Sequence, residues 1–359
     1  MQRLLMRRAL AASALAAAAL AAGCGSGSSS SQSAGGGESG DCKAPKMTLV
    51  VNSNLGDGGF FDQAHRGFTE TAEALELCEQ TIETGPQPTK WAPALNDAAA
   101  GPYDVVFAGT FQMKEVLEQA AMQHPDKEFV LFDVAHDADA CGGCRNIYSL
   151  TLRYRESGFL AGVVAALVTS SETPRANPEK VVGFVGGQEI PVIREYHDGF
   201  VAGAKAADPE VRVISAYAGS FTDPVKGKQL AAAMVGRGVD VLFTAAGATD
   251  KGVFEAAAEN DAWAIGNSPA QARDQPDVAG KPAVLTAASS DLEKPIALAV
   301  RNAAAGTLAL GTVGSYGIKE GAIEIFDSPT YERTVPADVR KRAAEYQTRI
   351  ADGELDVDG

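Results

Sequence analysis

The sequence is short of positive charge and of histidine. Against 46 Asp and Glu it has 31 Lys and Arg and 4 His, which gives a formal net charge of −15. Such a surface repels phosphate backbones, so nucleic acid is not expected as a partner. Catalytic signatures are missing too: there is no Gly-x-Ser-x-Gly, no His-Glu-x-x-His and no phosphate-loop lysine motif. We therefore expect no catalytic residue, no metal and no cofactor.

Long apolar runs are also scarce. The run at the N-terminus, Ala9–Ala22, follows three arginines and is too short for a permanent membrane span. This layout predicts a secretion signal over residues 1–23, and the small residues before Cys24 predict that this cysteine is acylated. A cleaved signal followed by an incidental cysteine is the alternative. Residues 24–44, rich in Ser and Gly, predict a flexible tether to the extracytoplasmic face of the cell membrane.

Four further cysteines fit an oxidising compartment. Of the three possible pairings we favour Cys42 with Cys78, which ties the lead-in to the end of the first helix, and Cys141 with Cys144, which closes a Cys-Gly-Gly-Cys loop. A redox-active or metal-binding role for Cys141 and Cys144 is the weaker alternative, because a metal would need two further ligands nearby.

Short apolar strands alternate with helical stretches, a pattern typical of parallel sheets with helices on both faces. Two segments recur at near-constant offsets: His65–Phe68 corresponds to His197–Phe200, and Asp104–Phe107 to Asp240–Phe243. We infer a duplication and an α/β fold of two similar doubly wound parallel-sheet lobes. The predicted strands are Met47–Asn52, Thr81–Thr84, Val105–Ala108, Phe129–Asp133 and Ile147–Leu152, then Val181–Gly186, Val211–Tyr217, Val239–Thr244, Ala262–Asn267 and Ala283–Thr286.

Residues at the strand ends are the first candidates for ligand contacts. Doubly wound sheets bind ligands beyond the carboxyl ends of their strands, so two such lobes predict a cleft between them. Small residues there would let backbone N–H groups approach a ligand closely, although turn formation alone is the alternative. The candidates are Asn52, Ser53, Gly109, Thr110 and Gly247.

Several segments together carry a resemblance to a known family. They are Asp57–Gln63, Tyr154–Gly162, Val182–Gly187, Gly219–Asp223 with Lys226–Lys228, and Ala245–Gly247. In order and spacing the chain resembles the basic membrane protein family, solute-binding lipoproteins of ABC importers that include a purine-nucleoside receptor. The resemblance implies a type I periplasmic-binding fold, a small-molecule ligand, and permease and ATPase subunits as partners.

The resemblance also implies how the ligand is held. Phe61 of the first lobe and Phe221 of the second would sandwich a planar base, and such stacking contributes about 1–3 kcal/mol per base. Packing within the core is the alternative for both rings. Asp62 and Asp133 would orient the base through hydrogen bonds, with capping of the following loop as the alternative for Asp133.

Three positions depart from the family pattern. Asp62 stands where asparagine is usual, and an ionised carboxylate only accepts hydrogen bonds, so we expect a ligand edge rich in N–H donors, as in guanine. Ser268 stands where the family commonly has aspartate, and Ser289 or Ser290 where it has lysine. Losing those charges removes charge-assisted hydrogen bonds to ribose hydroxyls, for which Asn267 or Lys294 would have to substitute.

The pattern as a whole predicts a monomer that closes its lobes on a purine nucleoside or a related planar ligand. A ligand sensor without a transporter, or a nucleoside-processing enzyme, is the alternative. The predicted lobes are residues 45–153 plus 284–312 and residues 154–283 plus 313–335, followed by a C-terminal helix and tail over 336–359. The predicted hinge crossings lie near Leu152–Arg155, Lys281–Leu285 and Leu310–Gly314.

Overall fold

The computed structural model describes residues Cys42–Gly56 and Gly58–Val357. The predicted signal peptide, the predicted lipidation site Cys24 and most of the predicted tether lie outside this range. Strands and helices alternate through the described residues, as expected for an α/β protein.

The strands form two sheets. In chain order they are β1 (Lys43–Val51), β2 (Leu77–Glu83), β3 (Val105–Gly109), β4 (Glu128–Phe132), β5 (Ile147–Leu152), β6 (Val181–Gly186), β7 (Arg212–Tyr217), β8 (Val239–Ala245), β9 (Trp263–Gly266), β10 (Val284–Ser290), β11 (Val313–Tyr316) and β12 (Ile323–Ile325). The first sheet has the order β11-β5-β4-β3-β1-β2 and the second β12-β10-β9-β8-β6-β7. Apart from the antiparallel β12, all neighbours are parallel.

Helices cover both sheets. They are α1 (Phe60–Ala74), α2 (Trp91–Ala100), α3 (Lys114–Gln123), α4 (Tyr154–Thr169), α5 (Pro191–Ala207), α6 (Pro224–Val235), α7 (Asp250–Glu259), α8 (Pro269–Asp274), α9 (Glu293–Ala304), α10 (Pro329–Thr334) and α11 (Ala337–Ala351). Each predicted strand is present, with bounds that differ by up to four residues, while the short β11 and β12 were not predicted. The prediction of two similar doubly wound lobes is confirmed.

The chain crosses between the sheets three times: at Arg153, at Asp291–Leu292 and at residues 317–322. The predicted lobe boundaries at 284 and 312 therefore need correction. Strand β10 pairs with β9 in the second sheet, so the second crossing follows this strand instead of preceding it. Strand β11 pairs with β5 and belongs to the first sheet. Pairing with a distant strand decides sheet membership, and the local apolar pattern does not encode it.

Arg153 joins the first crossing to the third. Its Nε donates to the carboxylate of Glu156 at 2.5 Å, and its guanidinium also donates to the Glu320 carboxylate and to the carbonyl oxygen of Ser315. The second carboxylate oxygen of Glu156 accepts from the backbone N–H of Ile318 at 2.6 Å. Two of the three connections between the lobes are thus tied to one guanidinium.

Glycines bring α4 and α5 into backbone contact. Gly158 and Gly162 on α4 face Gly199 and Gly203 on α5, and a β-carbon at any of them would overlap a backbone atom of the opposite helix. Helix α4 is almost completely buried, as its apolar sequence predicts. No helix in the described part of the chain combines the length and the apolar character needed to cross a membrane.

The close approach of these helices makes a testable prediction. Gly203→Ala should lower the free energy of unfolding by about 1–3 kcal/mol, because the new methyl group meets the carbonyl oxygen of Phe159. Urea unfolding measures the change. Gly236→Ala is the matched control, since the nearest atom to a β-carbon there is 3.5 Å away. Equal midpoints for the two variants would mean that the helices have room to separate.

Both favoured cysteine pairs are in contact in the structure. The Cα atoms are 5.1 Å apart for Cys42 and Cys78 and 5.2 Å apart for Cys141 and Cys144, within the range that disulfides span. Within the described residues, Glu118 is the one carboxylate or histidine that joins the second pair as a possible metal ligand, and it already accepts a backbone hydrogen bond. This falls short of the two further ligands that a metal would need.

Candidate functional site

A cavity of about 280 Å³ lies between the lobes, beyond the carboxyl ends of both sheets. Aromatic side chains from both lobes form much of its wall: Phe60, Phe61, Trp91 and Phe111 from the first lobe, and Tyr154, Tyr196 and Phe221 from the second. Its apolar lining with a few polar groups is typical of a small-molecule site.

Phe61 and Phe221 reach the cavity from opposite lobes. Phe61 is the second residue of α1, and the ring of Phe60 stands edge-on to it, with centroids 5.2 Å apart. Phe221 follows β7, and its ring lies against the backbone of Gly187, where a β-carbon would overlap it. Both rings are half-buried and pack partly on the core, so their core contacts and their exposure to the cavity coexist.

Gly247 supports this wall from behind. It has a positive φ of 62°, a conformation that favours glycine, and a β-carbon there would approach the carbonyl oxygen of Phe221 to 3.0 Å. Gly247 lines the cavity as predicted from its place after β8. Its lack of a side chain lets the Phe221 loop lie close to the strand end.

Asp133 brings a carboxylate to the cavity wall. It follows β4 with a φ of 80°, and its Oδ1 accepts a hydrogen bond of 2.5 Å from the hydroxyl of Tyr154. Burial raises the pKa of Asp133 to about 6, against the opposing effect of hydrogen bonds from Tyr154 and from the backbone of Phe111. Asp133 is the single ionisable acid or base among the described lining residues apart from the two tyrosines.

Three polar residues from the strand ends of the first lobe line the cavity as predicted. Asn52 and Ser53 follow β1, and Thr110 follows β3 with a φ of 85°. The amide nitrogen of Asn52 donates to the Thr110 hydroxyl at 3.2 Å. This bond joins two neighbouring strand ends and fixes the direction of the Asn52 side chain.

Asp62 needs correction as a ligand contact. Its two carboxylate oxygens accept hydrogen bonds from the backbone N–H groups of Gly56 and Gly58, in the loop before α1, and the residue is not part of the cavity wall. The carboxylate satisfies donors of its own loop, which is a common competing use of aspartate at a helix start. The inference that Asp62 selects N–H donors on the ligand therefore finds no support in the geometry of the described residues.

Gly109, Ser268 and Ser290 also lie outside the cavity wall. Gly109 packs against Phe132, where a β-carbon would overlap the ring. Ser268 caps α8 by accepting from the backbone N–H of Gln271 at 3.3 Å. Residues at strand ends can contact neighbouring parts of the protein instead of the cavity, and these three do.

Ser290 and Ser268 contact other elements instead of a ligand. Ser290 accepts a hydrogen bond of 2.8 Å from the hydroxyl of Tyr196, and Ser268 donates to the carbonyl oxygen of Gly58 in the opposite lobe at 3.3 Å. Lys294, named as a possible substitute at the sugar end, donates to the carbonyl oxygen of Gly321 and does not line the cavity.

Sequence reasoning missed Tyr154, Tyr196 and Trp91 as parts of the cavity wall. Tyr154 and Tyr196 come from helices of the second lobe, and their rings pack with centroids 4.8 Å apart. Tyr154 opens one of the segments that carried the resemblance, which was the available signal. Trp91 begins α2 and donates to the carbonyl oxygen of Gly85 at 3.0 Å, so its ring is fixed over the loop after β2.

Amide side chains complete the second-lobe wall. Gln271 bridges the buried Asp250, to which its nitrogen donates at 3.0 Å, and the backbone N–H of Asn267, from which its oxygen accepts at 2.8 Å. Asn267 and Gln188 also line the cavity, and their side chains have no hydrogen-bond partner in the described part of the chain. Both amides are therefore available to a ligand as donor and acceptor.

Comparison with known proteins identifies the family. The profile of a family described as "ABC transporter substrate-binding protein PnrA-like" matches residues 44–354. The chain belongs to this family. The resemblance to the basic membrane protein family is thus confirmed, and with it the class of ABC transporter substrate-binding protein.

Relatives of known name agree with this assignment. An "ABC transporter nucleoside-binding protein BmpA" of Lactococcus lactis subsp. cremoris is 30% identical over 89% of this chain and 91% of its own length. A "CD4+ T-cell-stimulating antigen" of Listeria innocua is 30% identical over 89% and 90%. An ABC transporter solute-binding protein of Aeropyrum pernix K1 superposes with a TM-score of 0.75 at 24% identity, over 87% of this chain and 93% of its own, which supports the fold.

The structure assigns Asp62 to its loop, and this assignment can be tested. Asp62→Ala should lower the free energy of unfolding by about 0.5–2 kcal/mol, because two backbone N–H groups lose their acceptor. Urea unfolding provides the measurement. Asp97→Ala is the control, since Asp97 is exposed on α2 and should change little. If Asp62→Ala kept the stability of the wild type but lost ligand binding, Asp62 would be a ligand contact and this assignment would be wrong.

Proposed function

We propose that this protein is the lipid-anchored, extracytoplasmic solute-binding subunit of an ABC importer. It captures a purine nucleoside or a related planar polar ligand by closing its two lobes. The observation that carries the proposal is the cavity between the lobes, in which Phe61 and Phe221 come from opposite sides with the carboxylate of Asp133 beside them. Its membership of a substrate-binding family supports the transport role.

Stacking supports a planar ligand. Each ring buries one face of a flat heterocycle, at about 1–3 kcal/mol per base, and the contact needs both lobes at once. A ligand that rests on Phe61 alone gains part of this energy, and closure of the second lobe adds the contact with Phe221. The printed name of the Lactococcus relative, a nucleoside-binding protein, agrees with a base as the planar group.

The charge of the wall supports a ligand without phosphate. Its described residues include the acidic Asp133 and no Lys, Arg or His. Arg and Lys are the side chains that bind phosphate through charge-assisted hydrogen bonds, and an anion beside the carboxylate of Asp133 is repelled. Neutral hydroxyls suit the free amides of Gln188 and Asn267. We propose that these two amides form hydrogen bonds with the part of the ligand outside its planar ring.

We further propose that the exported protein carries its lipid on Cys24, is a monomer, and has both cysteine pairs oxidised. The cysteine spacing and the Cα distances of 5.1 and 5.2 Å support the two disulfides. The short apolar run before Cys24 supports the acylation. The acyl chains would keep the binding body near the importer, and the Ser/Gly tether would leave it free to turn.

Calorimetry with the mature, untagged protein tests the ligand class. Inosine and guanosine should bind, inosine 5′-monophosphate should bind more weakly, and no free base should appear on incubation. Phe221→Ala should weaken nucleoside binding by about 10- to 100-fold while the thermal midpoint without ligand stays close to that of the wild type. Val225→Ala, at an exposed position on α6, is the control.

Two outcomes would contradict this prediction. Wild-type protein that binds none of the nucleosides would reject the ligand class. A Phe221→Ala variant that loses stability without ligand, and binds as tightly as before once folded, would assign the ring to the core. Release of free base would favour a nucleoside-processing enzyme instead.

Acylation at Cys24 has its own test. Expressed in a bacterial host with radiolabelled palmitate, the wild-type chain should take up label and sediment with membranes, because its acyl chains bury methylene groups in the bilayer. Cys24→Ser should do neither, while Cys141→Ser serves as the control for loss of an unrelated thiol. Equal labelling of the wild type and Cys24→Ser would show that the signal is of the ordinary cleaved kind.

A further inference from the structure

We propose that the hydrogen bond from Tyr154 keeps Oδ1 of Asp133 as an acceptor and leaves Oδ2 to contact the ligand. The ionised carboxylate then selects ligands with a ring N–H, and the protonated carboxyl group reverses that preference. The inference rests on the proposed function and makes it more specific. It names Tyr154 as a positioning residue that acts through Asp133.

The carboxylate of Asp133 accepts two hydrogen bonds from the protein and keeps further acceptor positions for a ligand. Oδ1 accepts the hydroxyl hydrogen of Tyr154 at 2.5 Å, and the backbone N–H of Phe111 also donates to this carboxylate. A carboxylate has about four acceptor positions, so at least one on Oδ2 remains for a ligand in the cavity. An ionised carboxylate has no hydrogen to donate, and the ligand group that meets it must be a donor.

Tyr154 is confined to the role of donor. Its side chain is buried, its ring packs on Tyr196 with centroids 4.8 Å apart, and burial together with the charge of Asp133 holds its pKa well above the usual value. The hydroxyl therefore stays protonated at any physiological pH. Asp133 is the acceptor that the described residues offer to this hydroxyl, so reversing the bond would leave the buried hydroxyl hydrogen without a partner, and Oδ1 remains the accepting oxygen in both ionisation states.

This restraint determines where a proton would go. When Asp133 takes up a proton, Oδ1 is already engaged with Tyr154, so the proton resides on Oδ2 and faces the cavity. The wall then presents a donor where it had presented an acceptor. With burial raising the pKa of Asp133 to about 6, the change falls close to neutral pH.

The charged and titratable groups near Asp133 are consistent with its raised pKa. On the second-lobe side the titratable neighbours are Tyr154, which bonds to Asp133, and Tyr196; the acids Glu195 and Asp250 act on these tyrosines. On the first-lobe side, Phe111 contributes a backbone N–H, and Asp62, the acid in the first turn of α1, bonds to its own loop. Among these described groups there is no cation that would hold Asp133 ionised at low pH.

Two nucleosides that differ at the adjacent ring positions N1 and C6 provide the test. Inosine carries a hydrogen on N1, whereas purine riboside has a lone pair there and no substituent on C6. A hydrogen bond to a charged group contributes enough to favour inosine by about 10- to 100-fold at about pH 8. Below about pH 6 the preference should shrink, and it should disappear or invert by about pH 5.

Calorimetric titration of the mature wild-type protein with both nucleosides, at several pH values, measures the ratio of the two dissociation constants. A ratio that falls on acidification with a midpoint near pH 6 supports the proposal. A ratio that is constant with pH, or one that favours purine riboside at high pH, overturns it. If neither nucleoside binds at any pH, the proposed function fails as well, which distinguishes the two failures.

Variants separate positioning from packing. Tyr154→Phe keeps the ring but removes the donor, so the midpoint of the ratio should move to higher pH and the preference for inosine should weaken. A purely structural role would change both dissociation constants by one factor at every pH and leave the midpoint in place. Asp133→Asn should abolish the pH dependence.

Tyr196→Phe is the matched control for the midpoint. It removes the hydroxyl that donates to Ser290 at 2.8 Å and leaves the bond between Tyr154 and Asp133 intact. Its midpoint should equal that of the wild type even if its affinity differs. A midpoint that moves as far in Tyr196→Phe as in Tyr154→Phe would overturn the assignment to Tyr154. The wild-type titration decides the donor preference even if a variant fails to fold.

Discussion

The direction of parallel strands is the constraint on which the site depends. Parallel pairing places the carboxyl ends of successive strands at one edge of a sheet, and three crossings turn the edges of two such sheets toward each other. The loops that follow β1, β3 and β4 therefore meet those that follow β7, β8 and β9. The contacts of Arg153 with Glu156 and Glu320 tie two of the crossings, so a small group of charges links two of the three connections between the lobes.

Within that frame, the cavity combines aromatic area with very little charge. Seven aromatic side chains line it, and Asp133 is its single carboxylate among the described residues. Aromatic faces provide binding energy with little regard to which heterocycle is bound, whereas a buried carboxylate discriminates sharply because an unmatched partner leaves it unsatisfied. Under the proposed function, affinity and selectivity thus come from different parts of the wall, and a substitution can change one with little effect on the other.

The architecture was accessible from the sequence, because alternating apolar strands and duplicated segments are local signals. The assignment of β10 and β11 to their lobes was not, since it depends on pairing with β9 and β5, far away along the chain. Phe61, Phe221 and Asp133 were found through the resemblance and do line the cavity, although their role in binding stays a proposal.

Errors at the site have a common physical origin. Asp62, Ser268 and Ser290 follow strands or begin helices, where backbone N–H groups and neighbouring hydroxyls compete with a ligand for each polar side chain. That competition depends on the direction of a side chain within its turn, which spacing along the chain does not fix. Tyr154 and Tyr196 were missed for the opposite reason, since they reach the cavity from helices and not from strand ends.

The hydrogen bond from Ser268 to the carbonyl oxygen of Gly58 joins the two lobes directly, and Ser268 is fully buried. Its strength does not depend on what the cavity holds, so it favours this arrangement of the lobes whether or not a solute is bound. Under the proposed function, such a bond reduces the share of the binding energy that is used to bring the lobes together. Natural variation at residue 268 would therefore change the stability of this arrangement of the lobes without any change in the residues that line the cavity.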